Sequence, residues 1–213
     1  MPELYGVYKS RATRNVWLAL EAGLKLPLVR TIPSSRIADP LAADAPFNTK
    51  SPDFLALNPM ATVPVLKDGD LVLTQSLAIN LYLARVYGDK LGPQNAMETG
   101  AMSNWALFAA TELEPHTLRI QVLVGKGATD EALAEAAEAY ARPLKALEVH
   151  FAKHAYLVGE RFTVADINLC EVLRYATALK GAFDAYPAVK AYLATQQARP
   201  AFQEMWALRE AEA

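Results

Sequence analysis

Every convincing strand signal in this 213-residue chain lies before Gly92-Pro93, and only helical patterns follow it. That split constrains the fold more than any other feature, because it separates a mixed α/β segment from a purely helical one. Leu4-Tyr5-Gly6-Val7-Tyr8 is a short β-rich run, followed by Ser10 to Arg14 and a helical pattern through Val16, Trp17 and Leu20 that stops at Gly23. Leu26 to Ile32 is a second strand candidate ending at Pro33. The resulting β-α-β unit implies a parallel pair with a right-handed crossover. Residues 33 to 53, with prolines at 33, 40, 46 and 52, read as a functional surface loop. Val63 to Leu66 and Leu71 to Leu73 flank Lys67-Asp68-Gly69-Asp70, a strong hairpin signal. A helix from Ser76 to about Tyr87 closes a first domain of order β-α-β-α-β-β-α, placed at 1–86. A helical domain, placed at 94–213, has stretches at roughly 96–124, 130–153, 163–178, 187–196 and 200–210, separated by glycines and X-Pro sites.

The bulk numbers exclude several classes. Hydrophobic residues make up 53% and charged residues 21%, too apolar a balance for a disordered chain. Lys and Arg total 21 against 23 Asp and Glu, so there is no basic excess of the kind that marks a nucleic-acid binder. A single cysteine, Cys170, rules out an internal disulfide framework and a multi-thiolate zinc site; set in an apolar run, it reads as a core residue. His116, His150 and His154 form no metal-ligand pattern, and no metal is expected. The N-terminal residues lack a signal-peptide pattern, and no apolar run approaches the ~18 residues of a membrane span. The expectation is a soluble cytoplasmic protein with no membrane or nucleic-acid partner.

Three separated motifs carry a resemblance. Asn58-Pro59-Met60-Ala61-Thr62-Val63-Pro64-Val65-Leu66 is similar to the NPxGxVPxL of the glutathione S-transferase superfamily. Thr74-Gln75-Ser76-Leu77-Ala78-Ile79 resembles its (E/Q)S-x-AI, and Phe162-Thr163-Val164-Ala165-Asp166-Ile167 its N-capping box and hydrophobic staple. The resemblance spans nearly the whole chain. It implies a thioredoxin-like N-terminal domain (α/β) that binds glutathione, joined to an all-α C-terminal helical bundle, the glutathione-transferase fold. It also implies a cis Val63–Pro64 bond, and a homodimer, the commonest closed oligomer. One departure stands out: Ala61 occupies the position of the family's glycine. Either its φ is negative, or the turn differs from that of most relatives.

The chemistry implied is to hold the sulfur of glutathione as thiolate, the form that attacks electrophiles. Lowering a free thiol's pKa from ~8.5 by ~2 units takes ~2.7 kcal/mol of preference for the anion. One hydrogen bond to a charged group supplies ~1.5–3 kcal/mol and a helix N-terminus ~0.3–1, so one hydroxyl at the start of the first helix suffices. By its distance from Arg14, Ser10 resembles the donor of the serine-type classes, and Tyr8 that of the tyrosine-type classes; Thr13 is a third candidate. The alternatives are that Ser10 only caps the helix and that Tyr8 only packs.

For the rest of the tripeptide, Gln75 and Ser76 resemble the pair that holds the γ-glutamyl end. Val63, with Thr62 and Pro64, would face the cysteinyl part. Lys50 stands where some relatives place a lysine against the glycine carboxylate. Arg11 and Arg14 would add positive potential, unless Arg14 pairs with a core acid. Trp105 and Phe108 are candidates for the second-substrate pocket, although aromatics at helical spacing are usually core. Thr163 and Asp166 have capping-box spacing and a folding role. The expected activity is conjugation of glutathione to a small hydrophobic electrophile, or reduction of a peroxide with it. The alternatives are a non-enzymatic assembly module of the same fold and a glutathione-dependent isomerase, whose usual Ser-Ser-Cys is absent.

Overall fold

The computed structural model describes residues 1–212 and divides them into two compact units. The first is Met1–Asp89 together with the chain from Gln203 onward; the second is Lys90–Phe202.

In the first unit, β1 (Glu3–Gly6), α1 (Thr13–Glu21), β2 (Leu28–Arg30), α2 (Pro52–Leu57), β3 (Val65–Asp68), β4 (Leu71–Leu73) and α3 (Ser76–Tyr87) follow in that order. The sheet order is β2-β1-β3-β4, with β1 and β2 parallel and the other pairs antiparallel. The parallel pair and the hairpin are those the local signals predict, and together they make the thioredoxin-like arrangement that the resemblance implies. The strands are shorter than the apolar runs suggest. Val7 is buried but lies beyond the last β1–β3 pair, where the chain turns toward α1. Asp68 and Leu71 close the hairpin as partners, and Gly69, at φ +58°, occupies the left-handed conformation the tight turn requires. Helices α1 and α3 pack together, and they bury Trp17, Leu18, Ile79 and Leu83. Phe54 of α2 meets Tyr5 and Phe47, with ring centroids 6.5 and 6.3 Å apart.

Asn48 is the centre of the hydrogen bonds that hold residues 33–53. Asn48 donates through Nδ2 to the carbonyls of Pro40 and Pro46, and accepts at Oδ1 from Lys50 N–H. Its backbone N–H donates to Ser51 Oγ, and it forms an isolated bridge with Ile32. A long, largely irregular loop is thus fixed in good part by a buried amide that meets its own polar needs locally.

The second unit is helical throughout its described elements: α4 (Ala96–Phe108), α5 (Glu114–Gly125), α6 (Asp130–Glu138), α7 (Ala141–Phe151), α8 (Val164–Leu173) and α9 (Pro187–Gln197). The last helix, α10 (Pro200–Ala211), begins here and continues into the first unit. Two expected long helices are each broken once. A π-helical turn at Ala109–Leu113 separates α4 from α5, and α7 restarts at Ala141. The cause in both places is a proline in the new helix's first turn, Pro115 and Pro143. Neither has an N–H for the carbonyl four residues back, and both are tolerated where a helix begins.

Every residue of α8 is buried, so its polar side chains need partners inside the unit. Asp166 is the centre of one such set. Its Oδ2 accepts from Thr163 N–H at 2.9 Å and Thr163 Oγ1 at 3.0 Å. Its Oδ1 accepts from Leu157 N–H at 3.0 Å and the Tyr192 hydroxyl at 2.8 Å. The capping box read from the spacing is therefore present, with two more donors drawn in from the preceding loop and from α9. Burial pushes the Asp166 carboxyl up, and these hydrogen bonds draw it back. Glu171 and Arg174 form a buried two-point ion pair at 2.8 and 3.0 Å. At the start of α4, Arg161 holds Glu98 through two bonds and also donates to the carbonyls of Lys90 and Gly92. Its guanidinium holds the Glu98 carboxyl down at about 2.

Candidate active site

Two loops of the first unit meet where β1 ends. A Cβ added to Gly6 would lie 3.0 Å from Ala12 Cβ and 3.8 Å from both Ser10 Oγ and Val63 Cβ. Glycine at this strand end therefore brings the β1–α1 turn and the loop before β3 together. Ser10, the hydroxyl at the start of α1, and Val63, which precedes Pro64, flank the same small space.

The half-buried Ser10 hydroxyl donates to Val7 carbonyl at 2.6 Å and accepts from Ala12 N–H at 3.1 Å. The turn-forming role is thus realised. The accepted N–H polarises the O–H and strengthens it as a donor. Thr13 Oγ1 donates to Ser10 carbonyl at 3.1 Å and is buried. Tyr8, also half-buried, is fixed by its main chain: its N–H donates to Glu212 Oε1 at 2.9 Å, and its carbonyl accepts from Arg209 Nη1 at 2.8 Å.

The Val63–Pro64 peptide bond is cis, as the motif implies. Among the described residues, nothing hydrogen-bonds to Val63 N–H or C=O, so both stay available to an extended ligand. Asn58, 2% exposed, shapes the loop by donating from Nδ2 to Thr62 carbonyl at 2.8 Å and Thr62 Oγ1 at 3.2 Å. Its Oδ1 accepts from Met60 N–H. The open question at Ala61 is answered by φ +52°. The φ is thus not negative: this turn takes the left-handed backbone that favours glycine, and alanine bears the strain. Left-handed alanine costs ~1–2 kcal/mol, partly offset by the lower entropy of alanine in the unfolded chain. Ala61→Gly is expected to stabilise the protein by about 1 kcal/mol, raising the melting midpoint by roughly 2–4 °C. A calorimetric scan showing a lower midpoint would contradict this account of the turn.

At the start of α3, Ser76 is 6% exposed and its Oγ accepts from Arg14 Nη1 at 3.0 Å. A hydroxyl has one hydrogen to give, and with Arg14 on the acceptor side that hydrogen is left for an incoming acceptor. The same helix end carries backbone N–H groups and the positive end of the helix dipole. Arg14, 1% exposed, thus supports Ser76 from inside the fold. Asn15 Nδ2 reaches Ser76 carbonyl at 2.9 Å and Asn80 Oδ1 at 2.7 Å, and Asn80 Nδ2 donates to Arg14 carbonyl at 3.1 Å. Motif reading missed this asparagine pair, which ties the N-termini of α1 and α3 together. Gln75 is exposed, with no hydrogen bond from its side chain to any described residue. Lys50 is exposed at the end of the loop pinned by Asn48.

In the second unit, Trp105 lies against Phe108 and His150, with ring centroids 5.3 and 5.2 Å apart, and His150 lies 4.8 Å from His154. These aromatics join α4 to α7, and His150 Nε2 is 2.9 Å from Tyr156 carbonyl. Among the described residues no group of three His, Cys, Asp or Glu could hold a metal, and no helix is long and apolar enough to cross a membrane.

Comparison with known proteins gives this geometry its family. The pattern described as "Glutathione S-transferase, N-terminal domain" matches residues 40–85, and that of the C-terminal domain matches residues 106–200. Glutathione S-transferase 3 of Zea mays is 40% identical over 168 residues, covering 73% of this chain and 75% of the relative. The chain belongs to the glutathione S-transferase family, and it is a transferase. Glutathione S-transferase APIC of Nicotiana tabacum is 34% identical over 164 residues, covering 72% of this chain and 77% of the relative. Among solved structures, glutathione S-transferase-I bound with lactoylglutathione superposes with a TM-score of 0.80 at 30% identity, covering 97% of this chain and 99% of that one. The thioredoxin-like unit with a helical partner is thus the fold of this transferase family.

Proposed function

We propose that the first unit of this transferase binds glutathione and that Ser10 holds its sulfur as thiolate for attack on a small hydrophobic electrophile. The observation that carries the reading is the shared space at Gly6, flanked by Ser10 Oγ and Val63 Cβ. Val63's unpaired N–H and C=O suit the cysteinyl residue, which they would bind as a strand binds its neighbour. The γ-glutamyl carboxylate takes the start of α3, receiving the Ser76 hydroxyl hydrogen and backbone N–H groups over buried Arg14. Gln75 accepts from the ammonium through its amide oxygen, and Lys50 faces the glycine carboxylate.

In the reaction, the thiol proton passes to solvent. The Ser10 hydroxyl turns from Val7 carbonyl to the sulfur and stabilises the anion. The thiolate then forms a bond to the electrophilic carbon while the leaving group departs with its electron pair, or while the pair moves onto an electron-withdrawing substituent and is protonated. Lactoylglutathione, a glutathione derivative, bound to a solved relative supports the ligand class. The reading also carries a homodimer, which light scattering would contradict by reporting the mass of one chain. Keeping Ser10, Val63-Pro64 and Gln75-Ser76 together favours catalysis over the assembly-module reading, since a module without the tripeptide has no chemical use for them. Isothermal calorimetry should give saturable heat with glutathione, weakened by Gln75→Ala. No heat at millimolar concentrations (roughly 4 kcal/mol of binding) would sink the reading and favour the module. Product analysis with an activated chloronitrobenzene and with an organic hydroperoxide separates conjugation from peroxide reduction.

A further inference from the structure

The segment that carries Tyr8 and Ser10 is gripped from the far end of the chain. The Glu212 carboxylate accepts from two successive backbone N–H groups, Tyr8 at 2.9 Å and Lys9 at 2.7 Å. The Glu212 side chain is 7% exposed, and Arg30 Nη1 lies 3.7 Å from the same Oε1. Arg209, one turn back on α10, donates to Tyr8 carbonyl at 2.8 Å, and Lys9 Nζ donates to the Glu212 main-chain carbonyl. Arg36 takes the remaining carbonyl of Lys9 at 2.5 Å. The peptide groups of Tyr8 and Lys9 are thus held by charged side chains. The next residue is Ser10, and its hydroxyl acceptor, Val7 carbonyl, lies on the other side of the clamp. Folding the β1–α1 turn does not require this: α1 starts with its own local bonds, Thr13 N–H to Ser10 carbonyl and Val16 N–H to Ala12 carbonyl.

We infer that Glu212, with Arg209, is a positioning residue for the sulfur-binding hydroxyl, fixing the Val7–Ser10 backbone so that Ser10 Oγ meets the sulfur of glutathione. The inference rests on the reading of Ser10 as the sulfur donor. A carboxylate is the group the place needs, because only an acceptor with two oxygens and no hydrogen satisfies two adjacent N–H groups. Glutamine of the same size meets one of them with its own N–H. The effect should therefore grow from Glu212→Gln to Glu212→Ala.

The test is the pH profile of kcat/KM for conjugation of an activated chloronitrobenzene in four proteins: wild type, Glu212→Ala, Ser10→Ala and the double variant. Loosened positioning should move the apparent pKa of the Glu212→Ala profile upward and lower the neutral-pH rate roughly three- to tenfold, with recovery at alkaline pH where the thiol ionises unaided. Glu212→Gln should fall between wild type and Glu212→Ala. The double variant should match Ser10→Ala within about twofold, since the two act through one hydroxyl. A melting midpoint lowered by Glu212→Ala with an unmoved profile would make the clamp merely structural and overturn the proposal. Multiplying losses in the double variant would overturn it too, because Glu212 would then act without Ser10. The Ser10→Ala profile tests the underlying reading separately: if it does not move, that reading fails and the positioning role falls with it.

Discussion

Asp166→Ala is expected to cost about 3–5 kcal/mol of stability while leaving the chemistry of the folded molecules near wild type. A single exposed helix cap is worth ~0.5–2 kcal/mol. Here the alanine would strand four donors at once: Thr163 N–H, Thr163 Oγ1, Leu157 N–H and the Tyr192 hydroxyl. Asp166, Thr163 and Tyr192 are buried, so water cannot replace the carboxylate without opening the unit. For a chain of this size the loss corresponds to a melting midpoint lower by roughly 10 °C. Asp166→Asn keeps one acceptor oxygen and should lose about half as much. Thermal unfolding followed by circular dichroism, with activity measured well below the transition, checks both. An unchanged midpoint with lost turnover would move Asp166 from folding into chemistry.

Ser10→Ala should raise the pKa of the bound thiol by about one unit, with turnover at neutral pH falling about tenfold. The size follows from an exchange of partners. With a neutral thiol the hydroxyl keeps Val7 carbonyl, a bond worth ~0.5–1.5 kcal/mol; with a thiolate it makes a charge-assisted bond worth ~1.5–3. Only the difference, about 1–1.5 kcal/mol, favours ionisation. The sign is fixed: the variant loses rate at neutral pH, where its thiol stays protonated, and regains it as pH rises through the raised pKa. Glutathione affinity should change little, because the proposed binding contacts lie at α3 and Val63. Tyr8→Phe should leave the profile nearly unmoved, and the reverse outcome would assign the sulfur to Tyr8. If neither substitution moves it, the sulfur is held by backbone donors at the start of α1 or by Thr13.

What could be read in advance was local. The turn between Asp68 and Leu71, the capping box at Thr163 and Asp166, and the cis bond before Pro64 are each written within a few adjacent residues. The breaks at Pro115 and Pro143 were equally local, but the helical periodicity on either side masked them. The left-handed φ of Ala61 was hidden, because alanine does not announce a conformation that its neighbours impose. Asn48, Asn58 and the Asn15–Asn80 pair organise the site's loops and helix ends through single side chains, and one asparagine in a polar stretch has no period to betray it. The grip of Glu212 on Tyr8 spans 204 positions, a pairing that only the folded chain brings about. The supporting groups therefore emerged only from packing.

The central claim is that this fold ionises the sulfur of glutathione, and the most direct measurement is the ultraviolet absorbance of thiolate as the wild-type complex is titrated with base. Ser10 and the start of α1 together should bring the bound thiol about 1–2 units below the ~8.5 of a free thiol. A bound thiol that titrates at the free value, with glutathione shown to be saturating, would contradict the account.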